Sequence, residues 1–275
     1  MERNTAVLFV HGIQGQPSQF QFLMEALPEN VEVRAPLLPG HGQGVKEFRR
    51  SGRKQWLEAV LAETQDLLNQ GFQVVYVGHS MGCLLGLRVS RILNHPYRGM
   101  LLLCCPFRIQ LRDRHKGDLV AEDSRDLRAE TALAGNSVPI RGLRELPALL
   151  HPYWELLRLM GQVRRQKPRG PEHARFFFSD CDEVVSQRSP QWAQRWPGAR
   201  IQILKGCGHC YFPADVKARL IEALNNELSS GVALCFRLIL YQKFVVQMKI
   251  HLRKVMSVIL QTASYSLKFT FIVIH

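Results

Sequence analysis

A chain of 275 residues, 46% apolar and 21% charged, can bury one sizeable core, and as α/β architecture it reads as one globular unit rather than two. Seven cysteines is an odd count, and the opening MERNTAVLFVHG lacks a positive n-region, a long apolar stretch and a cleavage site, so free thiols in a reducing cytoplasm are the expectation. The formal charge of +13 is uneven, because six of the 36 basic residues and none of the 23 acidic ones lie from Gly231 onward; with no zinc-finger spacing, RNP-type aromatic pattern or polybasic run, it argues against nucleic acid as the partner.

Residues 5–10, TAVLFV, are a β-branched apolar run ending in His11-Gly12, which predicts a buried strand running into a tight turn. Pro17 to Leu27 reads as a helix, VEVRAP as a strand, residues 54–69 as an amphipathic helix stopped by Gly71, and FQVVYVG as a strand. A helix from Met81 to Leu93, the strand GMLLLCCP, a helix across 143–165 and the strand ARFFFS follow. A helix near 188–196, the strand ARIQILK and a helix from Pro213 to Leu228 complete the pattern. Strands without polar alternation, each followed by a helix, require a sheet covered on both faces. The expected fold is therefore α/β, doubly wound, with a mainly parallel sheet of about six strands.

Residues 106–142 break the rhythm, being charged, irregular and poor in long apolar runs. A stretch of that length between a strand and the next helix is an ordered insertion or a mobile lid.

The strongest chemical signal is Gly78-His79-Ser80-Met81-Gly82, directly after a strand and opening a helix. A strand that turns sharply into a helix holds the serine at the tip of the turn, and flanking glycines let backbone and helix approach without a Cβ clash. At the helix N-terminus, free N–H groups and the helix dipole stabilise a developing anion. A serine alcohol is a poor nucleophile at neutral pH and needs a base, which in turn needs an orienting carboxylate. Downstream, ARFFFS is followed by Asp180-Cys181-Asp182-Glu183, and ARIQILK by Gly206-Cys207-Gly208-His209. Each loop falls at the carboxyl end of its strand, the edge that carries Ser80. His209 is the candidate base, and Asp180 and Asp182 both stand as candidates for the acid. Backbone N–H groups of Met81, just after the nucleophile, and of Ile13, in the turn after the first strand, are the candidate oxyanion donors. His11 and His79 are expected to be structural neighbours.

Taken together, Val10-His11-Gly12-Ile13-Gln14-Gly15, Leu38-Pro39-Gly40-His41-Gly42, the Ser80 turn and the two later loops resemble the α/β-hydrolase-fold serine esterases. The likeness runs over roughly residues 4–228 and is similar to the small carboxylesterase and monoacylglycerol lipase branch. That resemblance implies Asp182 as the acid, since the family places it three residues after a small residue, here Ser179, and before a valine pair, here Val184-Val185. It implies an acyl-ester substrate, an acyl-enzyme on Ser80, no metal or organic cofactor, and a cap formed by about residues 106–142. Thioesterase or acyltransferase chemistry on the same triad, and a non-catalytic binding protein of this fold, are the alternatives. Apolar positions on the following helix, among them Leu146, Leu150, Trp154 and Leu157, fit an acyl pocket and core packing equally well.

Two features stand outside this reading. Cys207-Gly208-His209-Cys210 has the spacing of a redox dithiol, but it sits near the end of the strand pattern rather than opening a helix early in one. Residues 1–230 read as the hydrolase domain, and residues 231–275 as a basic apolar tail surplus to it. Tyr241, Val245, Met248, Leu252, Val255 and Ile259 alternate spacings of four and three, as a basic amphipathic helix on an anionic membrane would. Its longest uncharged stretch, Val255 to Leu267, is too short to span a bilayer. Peripheral membrane contact, packing on the domain, and a shifted reading frame are the three readings of the tail.

Overall fold

The computed structural model describes residues 4–110, 137–139, 142–166 and 173–229. The chain divides into two compact units, Met1–Leu228 and Ser229–His275, and the tail of the second lies outside the described residues. In the first unit a six-stranded sheet has the order β2-β1-β3-β4-β5-β6, with every pairing parallel. The strands are β1 (Thr5–Val10), β2 (Glu32–Arg34), β3 (Gln73–His79), β4 (Tyr97–Leu103), β5 (Ala174–Ser179) and β6 (Arg200–Leu204). The expected doubly wound architecture is present.

Strand order explains where a site can form. From β1 the chain steps outward to β2, then returns across β1 to β3 and proceeds the other way, so the winding reverses between β1 and β3. At such a reversal the connections leave on opposite faces and open a crevice at the carboxyl ends of the strands. Register places Val10 opposite Gly78, so the turn after β1 and the turn after β3 are neighbours in that crevice.

The helices are α1 (Gln21–Met24), α2 (Val45–Arg50), α3 (Arg53–Asn69), α4 (Met81–Ile92), α5 (Leu150–Arg165), α6 (Ser189–Ala193) and α7, residues 214–229. The helix α4 is apolar nearly all round, with nine buried residues, because it packs on the middle of the sheet. Its close approach rests on small residues. A Cβ on Gly82 would lie 2.0 Å from the Val10 carbonyl oxygen, and one on Gly86 would lie 2.3 Å from the Tyr76 ring. Tyr76 is fully buried beneath it and donates its hydroxyl to Gly82 O at 2.6 Å.

Several element boundaries differ from the sequence expectation, for local reasons. Pro17 to Leu27 forms a 3-10 turn, Pro17–Phe20, and a single α turn before the chain turns to β2. The helix α2 has no periodic signature, since Phe48 is its one buried residue. The stretch 143–165 is split: Pro147 has no N–H for an α ladder, so Leu143–Leu149 is a 3-10 segment and the α-helix begins at Leu150. The strand β4 stops at Leu103, and Cys104 turns the chain with φ of +53°. Most of the segment expected to form a cap lies outside the described residues. Among the described residues, no helix is long and apolar enough to cross a membrane.

Because the Gly82 contact is with rigid backbone, Gly82→Ala is expected to destabilise the fold by about 3 kcal/mol or more. A Cβ on Gly142 would enter open space, with nothing within 4 Å, and its φ of −172° is extended backbone, so Gly142→Ala should stay within about 0.5 kcal/mol of wild type. Urea denaturation of the two variants checks the contrast.

Candidate active site

The four strand ends that face the crevice each supply one part of the site. Ser80 closes β3 and opens α4 with φ of +51° and ψ of −117°, a left-handed conformation that β-carbon sterics disfavour by about 1–3 kcal/mol. Its own N–H donates to Leu103 O at 2.9 Å, and its carbonyl accepts from Cys83 N at 2.9 Å, so the strained residue is held from both sides. Ser80 and His209 are 5% and 8% exposed, while Asp182 is 2% exposed.

These three side chains form one hydrogen-bonded chain. His209 Nδ1 lies 3.0 Å from Asp182 Oδ2, and His209 Nε2 lies 3.1 Å from Ser80 Oγ. An ionised carboxylate only accepts, so Nδ1 carries the proton and Nε2 presents its lone pair to the serine hydroxyl. The structure therefore brings Asp182, and not Asp180, against His209. Asp180 instead lies 3.8 Å from Lys205.

Asp182 is secured on its other oxygen, where Oδ1 accepts N–H bonds from Val184 at 2.9 Å and Val185 at 2.7 Å. Burial pushes its carboxyl pKa up, but the charge and hydrogen bond of His209 and those two amides together outweigh burial, and the pKa falls below the ordinary carboxylate value. Asp182 thus stays ionised through the neutral range, where its charge favours a proton on His209.

Neighbouring groups fix the loops themselves. His209 N donates to Glu183 Oε2 at 2.9 Å, and His79 Nε2 donates to His209 O at 2.8 Å. The two imidazoles have centroids 4.9 Å apart. Residues at the start of the insertion brace the acid loop: Gln110 N donates to Val184 O at 2.7 Å and Ser186 N to Arg108 O at 2.9 Å. At the far end of the insertion, Ser137 N donates to Gln14 O at 2.8 Å, and Gly42 N to Ser137 O at 3.1 Å.

Ile13 and Met81 stand on the two turns that register makes adjacent. A Cβ on Gly12 would sit 3.0 Å from Ser80 Cβ and crowd the serine, so the glycine eases this close approach. Among the described residues, neither the Ile13 nor the Met81 N–H has a protein acceptor. Gln14, next in line, has φ of +55° and donates its N–H to His41 Nε2 at 3.1 Å. His11 Nδ1 is 2.8 Å from Gly12 O, and its Nε2 accepts Leu38 N–H at 3.0 Å.

His11, His41 and His79 were not candidates for acid or base, and their surroundings agree. Burial lowers His11 and His79 to about 3 and His41 to about 4, so all three are neutral hydrogen-bonding posts. Glu183, Gln110 and His41 do positioning work that sequence reasoning did not assign. The signal for Glu183 was adjacency to Asp182; for Gln110 there was none, since its contact spans 72 residues.

The dithiol spacing holds no disulfide: Cys207 is buried, Cys210 half-buried, and burial pushes the Cys207 thiol up to about 12, away from the thiolate that redox exchange needs. Metal-ligating groups do converge here: Cys104, Asp182 and His209, and also His79, His209 and Cys210, bring ligand atoms within 4.8 Å. Both sets draw on His209, whose two nitrogens are already engaged by Asp182 and Ser80. A metal in either set would replace that hydrogen-bonded chain.

The three buried neutral histidines tie stability to pH. Each takes up a proton near its ordinary 6.5 in the unfolded chain but only near 3 to 4 in the fold. Their contribution is thus complete above pH 6.5 and lost as pH falls through that value towards 3 to 4, by up to about 1.4 kcal/mol per pH unit for each group. Urea denaturation between about pH 7.5 and pH 5 should show this loss, and His41→Gln should flatten the slope by up to about a third.

Comparison with known proteins follows the same lines. The sequence model described as the alpha/beta hydrolase family matches residues 7–223. Among solved structures, a metagenome-derived lipolytic enzyme of the LipS and LipT study is similar with a TM-score of 0.63 at 20% identity, over 82% of this chain and 94% of its own. Est1E from Butyrivibrio proteoclasticus, solved with ferulic acid, gives 0.55 at 16% identity over 85% and 91%. A monoacylglycerol lipase from Paleococcus ferrophilus gives 0.55 at 14% over 82% and 96%. At these identities the likeness is one of fold, whereas the sequence model spans most of the chain: the protein belongs to the alpha/beta hydrolase family.

Proposed function

We propose that the protein is a serine hydrolase that cleaves a carboxylic acyl ester through an acyl-enzyme on Ser80. The observation that carries this reading is the unbroken chain Asp182 Oδ2, His209 Nδ1, His209 Nε2 and Ser80 Oγ, with links of 3.0 and 3.1 Å. A hydroxyl in such a chain can lose its proton as it attacks.

Ser80 Oγ adds to the ester carbonyl carbon while its proton passes to His209 Nε2. The carbonyl π electrons move onto oxygen, and the N–H groups of Ile13 and Met81 receive that oxyanion. On collapse the carbon–oxygen bond to the leaving alcohol breaks, and His209 hands that alcohol the proton. Water then attacks the acyl-enzyme, gives its proton to His209, and releases the carboxylic acid as Ser80 Oγ recovers the proton. Asp182 keeps the imidazole in the productive tautomer and stabilises its cationic form in both halves. These residues complete the cycle without an added redox partner. Lipolytic and esterase activity in proteins of the same fold supports the choice of an ester.

A fluorophosphonate probe should label the wild-type protein at Ser80 and leave Ser80→Ala unlabelled. Ser80→Ala and His209→Ala should each lose at least about 10⁴-fold in ester turnover, and Asp182→Asn about as much through loss of tautomer control. Absence of both labelling and turnover across a series of acyl chain lengths would overturn the assignment.

A further inference from the structure

The segment from residue 142 to residue 166 turns apolar side chains to solvent. Exposure is 84% at Leu143, 46% at Leu146, 71% at Leu150, 60% at Trp154 and 41% at Leu157. At about 100° per residue, Leu150, Trp154 and Leu157 fall within roughly 60° of one another on α5. The other face of that helix is already used, since Leu156, Leu159, Met160 and Val163 are buried in the core. Rotating α5 to hide the exposed stripe would therefore strip the core face. Leu146, Leu150, Trp154 and Leu157, expected to line an acyl pocket or pack in the core, lie outside the core.

Charge along this face has one sign. Arg144, Arg158 and Arg165 are exposed, whereas Glu155 is buried and paired with Arg53 and Arg158, and Glu145 is half-buried. No carboxylate between 142 and 166 is fully exposed. Beside Arg158, a groove of about 510 Å³ adds Arg50, Arg53 and Lys54, with Glu155 as the one acid in its lining. An apolar stripe with a basic margin and no exposed acid is the pattern of a segment that lies in a lipid headgroup boundary. Around Trp154 and Leu157 an open recess of about 310 Å³ is bordered by Arg158, Arg164 and Arg165, so guanidinium groups frame the apolar stripe where headgroup phosphates would meet it.

We propose that the face from Leu143 to Leu157 docks on an anionic phospholipid surface. Leu143, Leu146, Leu150, Trp154 and Leu157 enter the boundary between headgroups and acyl chains, and Arg144, Arg158 and Arg165 meet the headgroup phosphates. Tyr153 on the same helix donates its hydroxyl to Gln14 Oε1 at 2.5 Å, and Gln14 follows Ile13. The docking face is thus one hydrogen bond from the turn that carries a candidate oxyanion donor. Docking itself does not depend on the hydrolase reading.

The test uses the full chain and vesicles of ether-linked lipids, which contain no carboxylic ester, so binding is read apart from turnover. Wild-type protein should co-sediment with vesicles of phosphatidylcholine containing about a third phosphatidylglycerol, and much less with phosphatidylcholine alone, with the difference shrinking as salt is raised. Leu150→Ser with Trp154→Ser, and separately Arg144→Glu with Arg165→Glu, should each weaken partitioning at least about tenfold. Both variants should keep the wild-type melting temperature and turnover of a short, water-soluble ester. Equal binding by wild type and both variants would overturn the proposal and assign the contact to another segment, such as residues 231–275. No binding at all, or a dimer in solution that the Leu150→Ser, Trp154→Ser variant abolishes, would also overturn it. Loss of soluble-ester turnover in wild type would count against the hydrolase reading alone.

Discussion

The approach of α4 to the end of β1 is the contact on which the site depends. With the Val10 carbonyl oxygen occupying the space of a Gly82 Cβ, the helix can begin immediately beneath the turn at Gly12 and Ile13. This closeness forces β3 to bend at Ser80 within a single residue, hence the positive φ there. It also puts two backbone turns side by side at the strand reversal, so the serine and both candidate oxyanion donors share one crevice. The strain at Ser80 is sustained by the packing of α4, whose buried residues dominate the middle of the core.

Around that contact, neutral polar groups do the holding and leave the charge to Asp182. His11 joins Gly12 to Leu38, His41 joins Gln14 to the Leu38–Pro39 carbonyls, and His79 supports the His209 carbonyl. Each is buried and uncharged, so each gives directional hydrogen bonds without a field that would compete with the carboxylate. The T-shaped contact of His11 with His41 and of His41 with Phe48 shows the same side chains packing as apolar bodies. Far from the crevice, Arg98 reaches Thr5, Gln73 and Leu228 O, and Arg175 pairs with Glu227. Those bonds fasten α7 to the opposite edge of the sheet.

Parallel pairing, a sheet of about six strands and the placement of Ser80, Asp182 and His209 at strand ends were legible in the sequence because each carries a local mark. Apolar runs without alternation announce buried strands, and Gly-x-Ser-x-Gly announces a turn whose geometry only glycines allow. The choice between Asp180 and Asp182 was not a local matter for the residues themselves; it was decided by a family pattern, and in space by which carboxylate meets His209. Short elements escaped for a physical reason. With one buried residue, α2 has no period to detect, and Pro147 converts the first 7 residues of an expected helix into a 3-10 segment. The outward stripe on α5 was misleading in a more instructive way, since apolar spacing states that one face is uniform and says nothing about which face is covered.

Both roots of the insertion are bonded to the site: Arg108 and Gln110 to the acid loop, Ser137 to Gln14 and Gly42. All four of these bonds join main-chain groups, so the side chains at Arg108, Gln110 and Ser137 can change while the acid loop and the Ile13 turn keep their partners. A lineage built on this scaffold could therefore vary the side chains at these two joints without altering the residues proposed to carry out the reaction.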